Sequence, residues 1–277
     1  MSNRNINAES FLRSHRDEIY ETRKLIENSL PLVDHTDSSR SFIFWDKGFN
    51  QAPPLVRLCH SAWTRSLPEA SLIELDSSKV EDYVSIPPGA AAFSVSHKAQ
   101  YSDWLRFALI NSHGGAWLDA TTYPGLRYSE FLSNLTDSPN DFFAPKRTDR
   151  PIANAFIWSR RGGYISGTMR AALQVYMLNY SSPFAYFQTH YIYAELVKSD
   201  PQFRSEHENS IFMDGMRWQR IWAIRKHGHE GQKNRIRSLL RDLPVHKLSY
   251  KYDDSSVSPE NVLGHFLSSG TLWPGRK

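Results

Sequence analysis

Apolar and polar positions alternate with changing period along this chain, and the changes mark out its elements. Between about 8 and 30, Phe11, Leu12, Ile19, Leu25, Ile26 and Leu30 recur at helical spacing among charges, which predicts one or two amphipathic helices. The polar stretch Asp34 to Arg40 leads into Ser41-Phe-Ile-Phe-Trp45, a short apolar run expected to be a buried first strand, closed by Gly48 and Pro53-Pro54. Leu55, Leu58, Cys59, Ala62 and Trp63 return to the helical period, and Ser71-Leu-Ile-Glu-Leu75 reads as a second strand. A β-α-β opening of this kind favours a parallel sheet.

The next helix is expected from Lys98 to Ser112, with Trp104, Leu105, Ala108 and Leu109 as its apolar stripe, and Gly114-Gly115 stops it. Ala116-Trp-Leu-Asp119 then reads as a strand with an acid at its carboxyl end. Beyond a Ser-, Asn-, Asp- and Pro-rich loop from Ser129 to Asp141, Asp141-Phe-Phe-Ala144 and Ala155-Phe-Ile-Trp158 predict further strands, and helices return between Thr168 and Lys198. With 277 residues and no repeat, one large core suffices. The expected division is a helical N-terminal extension over 1–40 and one α/β domain over 41–277.

Composition narrows the function classes. A single cysteine, Cys59, excludes an intramolecular disulfide and a multi-cysteine metal cluster, and its place in an apolar helix pattern makes it a packing residue rather than a nucleophile. The N-terminus lacks a signal peptide's apolar region and no apolar run approaches a membrane span, so the expected location is cytoplasmic. The net charge of +4 suits a phosphate-bearing ligand or an anionic membrane face. From Arg217 to Arg241 eight Lys or Arg stand against one acid, Glu230, with Trp218, Ile221 and Trp222 interleaved. That segment reads either as a solvated face or as a peripheral contact with the inner face of the cell membrane. It carries no nucleic-acid motif, and no nucleic-acid partner is expected.

Candidate chemistry converges on residues 99–121. Asp103 and Arg106, three apart on a helix, share a face, so an acceptor and a donor can bracket sugar hydroxyls. The glycine pair permits a tight turn that brings Asp119 back toward that face. Singly, an Asp/Arg pair is more often a surface ion pair and an acid after a strand a helix cap.

The whole string, Ser102-Asp103-x-x-Arg106 followed by Gly114-Gly115-Ala-Trp117-Leu-Asp119-Ala-Thr121, resembles the capsular polysaccharide synthesis glycosyltransferases. These are relatives of the sugar transferases with an S-D-x-x-R...D-x-D signature. Phe44-Trp45-x-x-Gly48, Asn154-Ala-Phe-Ile-Trp-Ser159, Tyr186-Phe187-x-x-His190 and His246-Lys247-Leu-Ser-Tyr250-Lys251 follow the family's order. The resemblance spans roughly 41 to 252, leaving the first forty and last twenty-five residues outside it.

The resemblance implies an enzyme with a GT-A-like fold, a mostly parallel central sheet flanked by helices. It would move a hexose-type sugar from a nucleoside-diphosphate donor, UDP-linked, to a glycan or lipid-linked acceptor in surface polysaccharide synthesis. Retention of anomeric configuration is what the wider group implies. Asp103 and Arg106 would hold the donor sugar's hydroxyls, and Asp119 would face the ribose, the diphosphate and any metal. Trp45 matches the aromatic on which the base stacks, or is a core residue at a strand end. Asn154 and Ser159 match the sugar-pocket segment, or cap turns; Ser102 and Thr121 complete the donor set. His190 reads as a donor-site residue or a packed core histidine, and His246, Lys247 and Lys251 as donor ligands or solvated surface.

One departure bears on cofactors. Where the wider group has D-x-D, this chain has Asp119-Ala-Thr121, which replaces one acid by a hydroxyl and weakens the case for Mn²⁺ or Mg²⁺. A metal would rest on Asp119, the diphosphate and His246; otherwise Lys247 or Lys251 would stabilise the departing diphosphate. A nucleotide-sugar hydrolase and a non-catalytic sugar-binding subunit of the same fold stand as alternatives.

Overall fold

A computed structural model describes residues 7–30 and 39–272. In chain order its elements are α1 (Ala8–Ser29), β1 (Ser41–Phe44), α2 (Pro54–Ser66), β2 (Leu72–Leu75), α3 (Pro88–Ser96), α4 (Lys98–His113), β3 (Gly115–Leu118), β4 (Thr122–Pro124) and α5 (Tyr128–Asp137). They continue with β5 (Phe142–Phe143), β6 (Phe156–Ser159), α6 (Tyr164–Asn179), α7 (Gln188–Ser199), α8 (Pro201–Asn209), α9 (Arg220–Ala223), α10 (His229–Asp242), β7 (Val245–Lys247) and α11 (Val262–Ser269).

Five strands form one sheet in the order β2-β1-β3-β6-β5, and β4 pairs with β7 in a second. The β1–β2 pair is parallel, with Ser41 opposite Leu72, and the edge strand β5 runs antiparallel to β6. The expected α/β architecture holds: a mostly parallel sheet flanked by helices, consistent with a GT-A-like fold and opening on a helix. The side chains of β1, β3 and β6 are buried along their whole length, as a sheet covered on both faces requires.

The chain folds as two compact units, each built from separate segments. The first takes its described residues from Met1–Ser39, Lys79–Trp117 and Ser138–Met213, the second from Arg40–Ser78, Leu118–Asp137 and Asp214–Lys277.

In the first unit, α1 starts at an Asn7 cap whose side chain accepts the Ser10 N–H, while Ser10 Oγ accepts the Asn7 N–H. Its spacing buries Phe11, Leu12, Ile19 and Ile26 against α6 and α7, and Leu25, expected on that face, points outward. The helix breaks its regular dihedrals once, at His15, whose ring nitrogens meet Glu18 (2.8 Å) and the Tyr180 hydroxyl (3.0 Å). Helix α4 buries Trp104, Leu105, Phe107, Ala108, Leu109 and Ile110 completely. It ends at Gly114, whose dihedrals (φ 73°, ψ 178°) are open essentially to glycine alone, and β3 begins at the next residue.

In the second unit, α2 buries Leu55, Val56, Cys59 and Trp63. The Trp63 indole N–H donates to the Thr122 carbonyl at 2.9 Å, tying α2 to β4. Cys59 is a packing residue, as expected: burial pushes its thiol pKa far up. Among the described residues, no helix is long and apolar enough to cross a membrane.

Candidate functional site

Helix α4 carries Asp103 and Arg106 one turn apart, and the first unit fixes both. Arg106 donates to Asp103 Oδ1 at 2.9 Å, and Asn154 Nδ2 donates to the same oxygen at 3.2 Å. Asp103 Oδ2 accepts the Thr189 hydroxyl at 2.8 Å. Arg106 also donates to the carbonyls of Asn154 (2.8 Å) and Ser102 (3.3 Å), and its guanidinium lies 5.4 Å from the Trp117 ring centroid. The arginine side chain is 6% exposed and the aspartate 14%, so Arg106 is a brace and Asp103 the member nearer solvent. A carboxylate held by three donors cannot rotate away, and charge-assisted bonds of this kind hold orientation best.

Thr189 escaped the sequence reading. It stands at an unassigned position inside Tyr186-Phe187-x-x-His190, and only the start of α7 packing beside α4's acid reveals it. His190, its neighbour, is buried, and among the described residues its Nδ1 has no hydrogen-bond partner. Burial, reinforced by the guanidiniums of Arg150, Arg106 and Arg147, pushes its pKa down to about 3. It is therefore neutral near pH 7. Ser159 lies elsewhere in this unit: fully buried, its hydroxyl engages the Asp141 and Arg160 carbonyls and Ser166 Oγ. That pattern fits the turn-holding reading of Ser159 rather than the sugar-pocket one.

The second unit holds a different cluster. After β3 the chain turns tightly, with Thr122 N–H and Oγ1 both donating to the Asp119 carbonyl (2.8 and 2.7 Å). Strand β7 pairs with β4 so that Lys247 faces Thr122, and the Leu248 N–H donates to the Thr121 carbonyl at 2.9 Å. This register delivers the Lys247 ammonium to Asp119 Oδ2 at 2.9 Å and to Thr121 Oγ1.

Successive strand residues point to opposite faces, so His246 lies on the other side of the ladder from Lys247. It is wholly buried, and burial pushes its pKa down to about 3. Lys251 is exposed beyond the strand end. Trp45, half-buried just past β1, meets the partly exposed Tyr250 ring edge-on, with centroids 5.5 Å apart and planes at 90°.

The donor set here fits a divalent cation poorly. Asp119 is paired to an ammonium, Thr121 offers a neutral oxygen, and His246 faces away. Among the described residues no group of three or more His, Cys, Asp or Glu side chains could hold a metal.

Fold and clusters together define a mixed α/β protein with two polar sites, each centred on a carboxylate whose orientation its neighbours fix. The chain belongs to the capsular polysaccharide synthesis protein family, whose model matches residues 2–266. Its place is accordingly in capsular polysaccharide synthesis. The match corrects the extent expected from sequence. It takes in residues 2–40 and continues into α11, and the packing explains why: α1 buries one face within the first unit, and α11 buries Val262, Leu263 and Phe266 in the second. Neither the curated proteins nor the solved structures contain a match to the chain.

Proposed function

We propose that this chain is a glycosyltransferase that moves a hexose-type sugar from a nucleoside-diphosphate donor, UDP-linked, to a glycan or lipid-linked acceptor. The observation that carries the reading is the Asp103 carboxylate. Arg106, Asn154 and Thr189 fix the orientation of its two oxygens on a rigid helix, the pre-set polar group that a sugar hydroxyl would meet. Pre-set polar groups of this kind recognise a hydroxylated ligand without reorganising when it binds.

In the same reading the Asp119, Thr121 and Lys247 cluster takes the ribose and diphosphate, and the corner of Trp45 and Tyr250 takes the base. Stacking one base on an aromatic is worth about 1–3 kcal/mol. The exposed rings of Tyr186 and Phe187, beside the start of α7, offer apolar faces for the acceptor sugar. The basic face around α10 docks the enzyme against anionic lipid near that acceptor.

A thermal-shift screen against nucleoside-diphosphate sugars tests the core of the proposal. A donor at one hundred times its dissociation constant stabilises by about 2.7 kcal/mol, which is easily read. Asp103→Ala is expected to abolish the preference among sugars and keep a response to free UDP. If wild type and mutant rank the sugars identically, Asp103 does not touch the sugar. Release of free sugar with no transfer to any acceptor would assign a hydrolase, and donor binding with neither reaction a sugar-binding subunit.

A further inference from the structure

We infer that Lys247 is the resident cation of the diphosphate site, so that this chain binds its donor and transfers sugar without a divalent metal. The inference rests on the donor reading above and names how that site balances charge.

A metal that bridges a diphosphate is held by one or two protein carboxylates together with the phosphate oxygens. Here the β4–β7 register places one ammonium on the two protein oxygens at that position, Asp119 Oδ2 at 2.9 Å and Thr121 Oγ1. The register is fixed from both sides. Lys247 sits opposite Thr122 in the ladder, and Thr122 closes the turn that presents Asp119. Substituting threonine for the second acid leaves one negative charge, which one ammonium balances. An ammonium has three N–H donors and these contacts use two. With the lysine 29% and the aspartate 23% exposed, a phosphate oxygen can reach the third. An arriving divalent ion would have to displace the ammonium and then remain beside it, which like-charge repulsion opposes.

In the transfer the bond between C1 of the sugar and the diphosphate oxygen breaks, and its electron pair stays on that oxygen. Lys247 donates a hydrogen bond to the diphosphate as this charge grows and keeps its own proton. The acceptor hydroxyl oxygen forms the new bond to C1, and its proton passes to the released diphosphate.

Titration calorimetry on the full chain, with UDP and a UDP-sugar accepted in the screen, decides the matter independently of turnover. In EDTA the wild type is expected to bind both, with dissociation constants within about threefold of those in millimolar Mn²⁺ or Mg²⁺. Lys247→Ala is expected to weaken UDP binding at least 30-fold in EDTA. Because the substitution leaves Asp119 as an acid without its ammonium, Mn²⁺ should then restore much of the loss, converting a metal-indifferent site into a metal-responsive one. Lys247→Arg should stay within about tenfold of wild type. Binding by the wild type only when Mn²⁺ or Mg²⁺ is present would overturn the inference and leave the donor reading intact, as would undiminished binding by Lys247→Ala in EDTA. If the wild type binds no nucleoside-diphosphate sugar in either buffer, the donor reading itself falls.

Discussion

Three donors converge on the two oxygens of Asp103, and they differ in what each removal would cost. Thr189→Val keeps the volume and deletes one hydrogen bond to a charged acceptor, a contact worth about 1.5–3 kcal/mol. If the acid works on the donor sugar, kcat/KM in a transfer assay should fall about tenfold or more. A variant with wild-type kinetics would make Thr189 a packing residue. Arg106 is bonded also to two carbonyls, so Arg106→Lys cannot restore its fork and should lower both activity and melting temperature.

His190 and His246 make a prediction in pH. Each has a folded-state pKa pushed down to about 3, below the ordinary histidine value of 6.5. Between those values the unfolded chain binds protons that the folded chain refuses. Their contribution to stability is therefore full above about pH 6.5 and is lost progressively as pH falls toward 3. Melting temperature measured from pH 7 to pH 4 should drop steadily, and His246→Phe should flatten part of that slope. A melting curve independent of pH over this range would contradict the burial of both rings.

The turn from α4 into β3 ends the helix that carries Asp103 and starts a fully buried strand. Gly114 has a backbone geometry that a side chain resists, and Gly114→Ala should cost about 1–3 kcal/mol in chemical denaturation. At this scale much was legible in the sequence. The 3.6-residue stripe of α4, the apolar runs of β1, β2, β3 and β6 and the glycine pair all lie where periodicity and turn chemistry placed them. β1, β3 and β6 announce themselves because their burial is continuous, and β2 by the apolar residues Leu72 and Leu75 at its ends.

The β4–β7 ladder was not legible. Thr122-Tyr-Pro124 and Val245-His-Lys247 are three residues each, separated by more than a hundred positions, too short for a pattern and too far apart for a hairpin signal. Lys247's partner was hidden for the same reason, although the lysine itself stood in the matched string. Thr189 was invisible because a threonine in the first turn of a helix looks like any other until the neighbouring acid is in view. The basic segment shows a third kind of miss. Its Trp218 and Ile221 are buried, so those apolar side chains belong to the core and are not offered to a bilayer.

For the whole molecule, that burial sharpens the membrane proposal. Arg217, Arg220, Lys226, Arg235 and Arg241 are exposed without those two apolar partners, so charge carries the proposed lipid contact, with the exposed Phe212 and Met216 as the nearest apolar side chains. Each basic residue near an anionic surface contributes about 1 kcal/mol, and salt screens the effect within a Debye length. Sedimentation with vesicles should show binding to anionic and not neutral lipid, lost in 0.5 M salt and in the Arg217→Glu/Arg235→Glu/Arg241→Glu variant. Equal capture by neutral vesicles would dispose of the proposal.

The interleaving of the two units bears on the family's history and on attempts to engineer it. The polypeptide passes from one unit to the other five times, once inside β3, between Trp117 and Leu118, two residues ahead of Asp119. No single cut of the gene therefore yields either unit intact. Recombination between related genes at one breakpoint would join mismatched fragments of both, so, on the glycosyltransferase proposal, donor and acceptor preferences in such chimeras should be inherited by scattered substitutions rather than by exchanged halves.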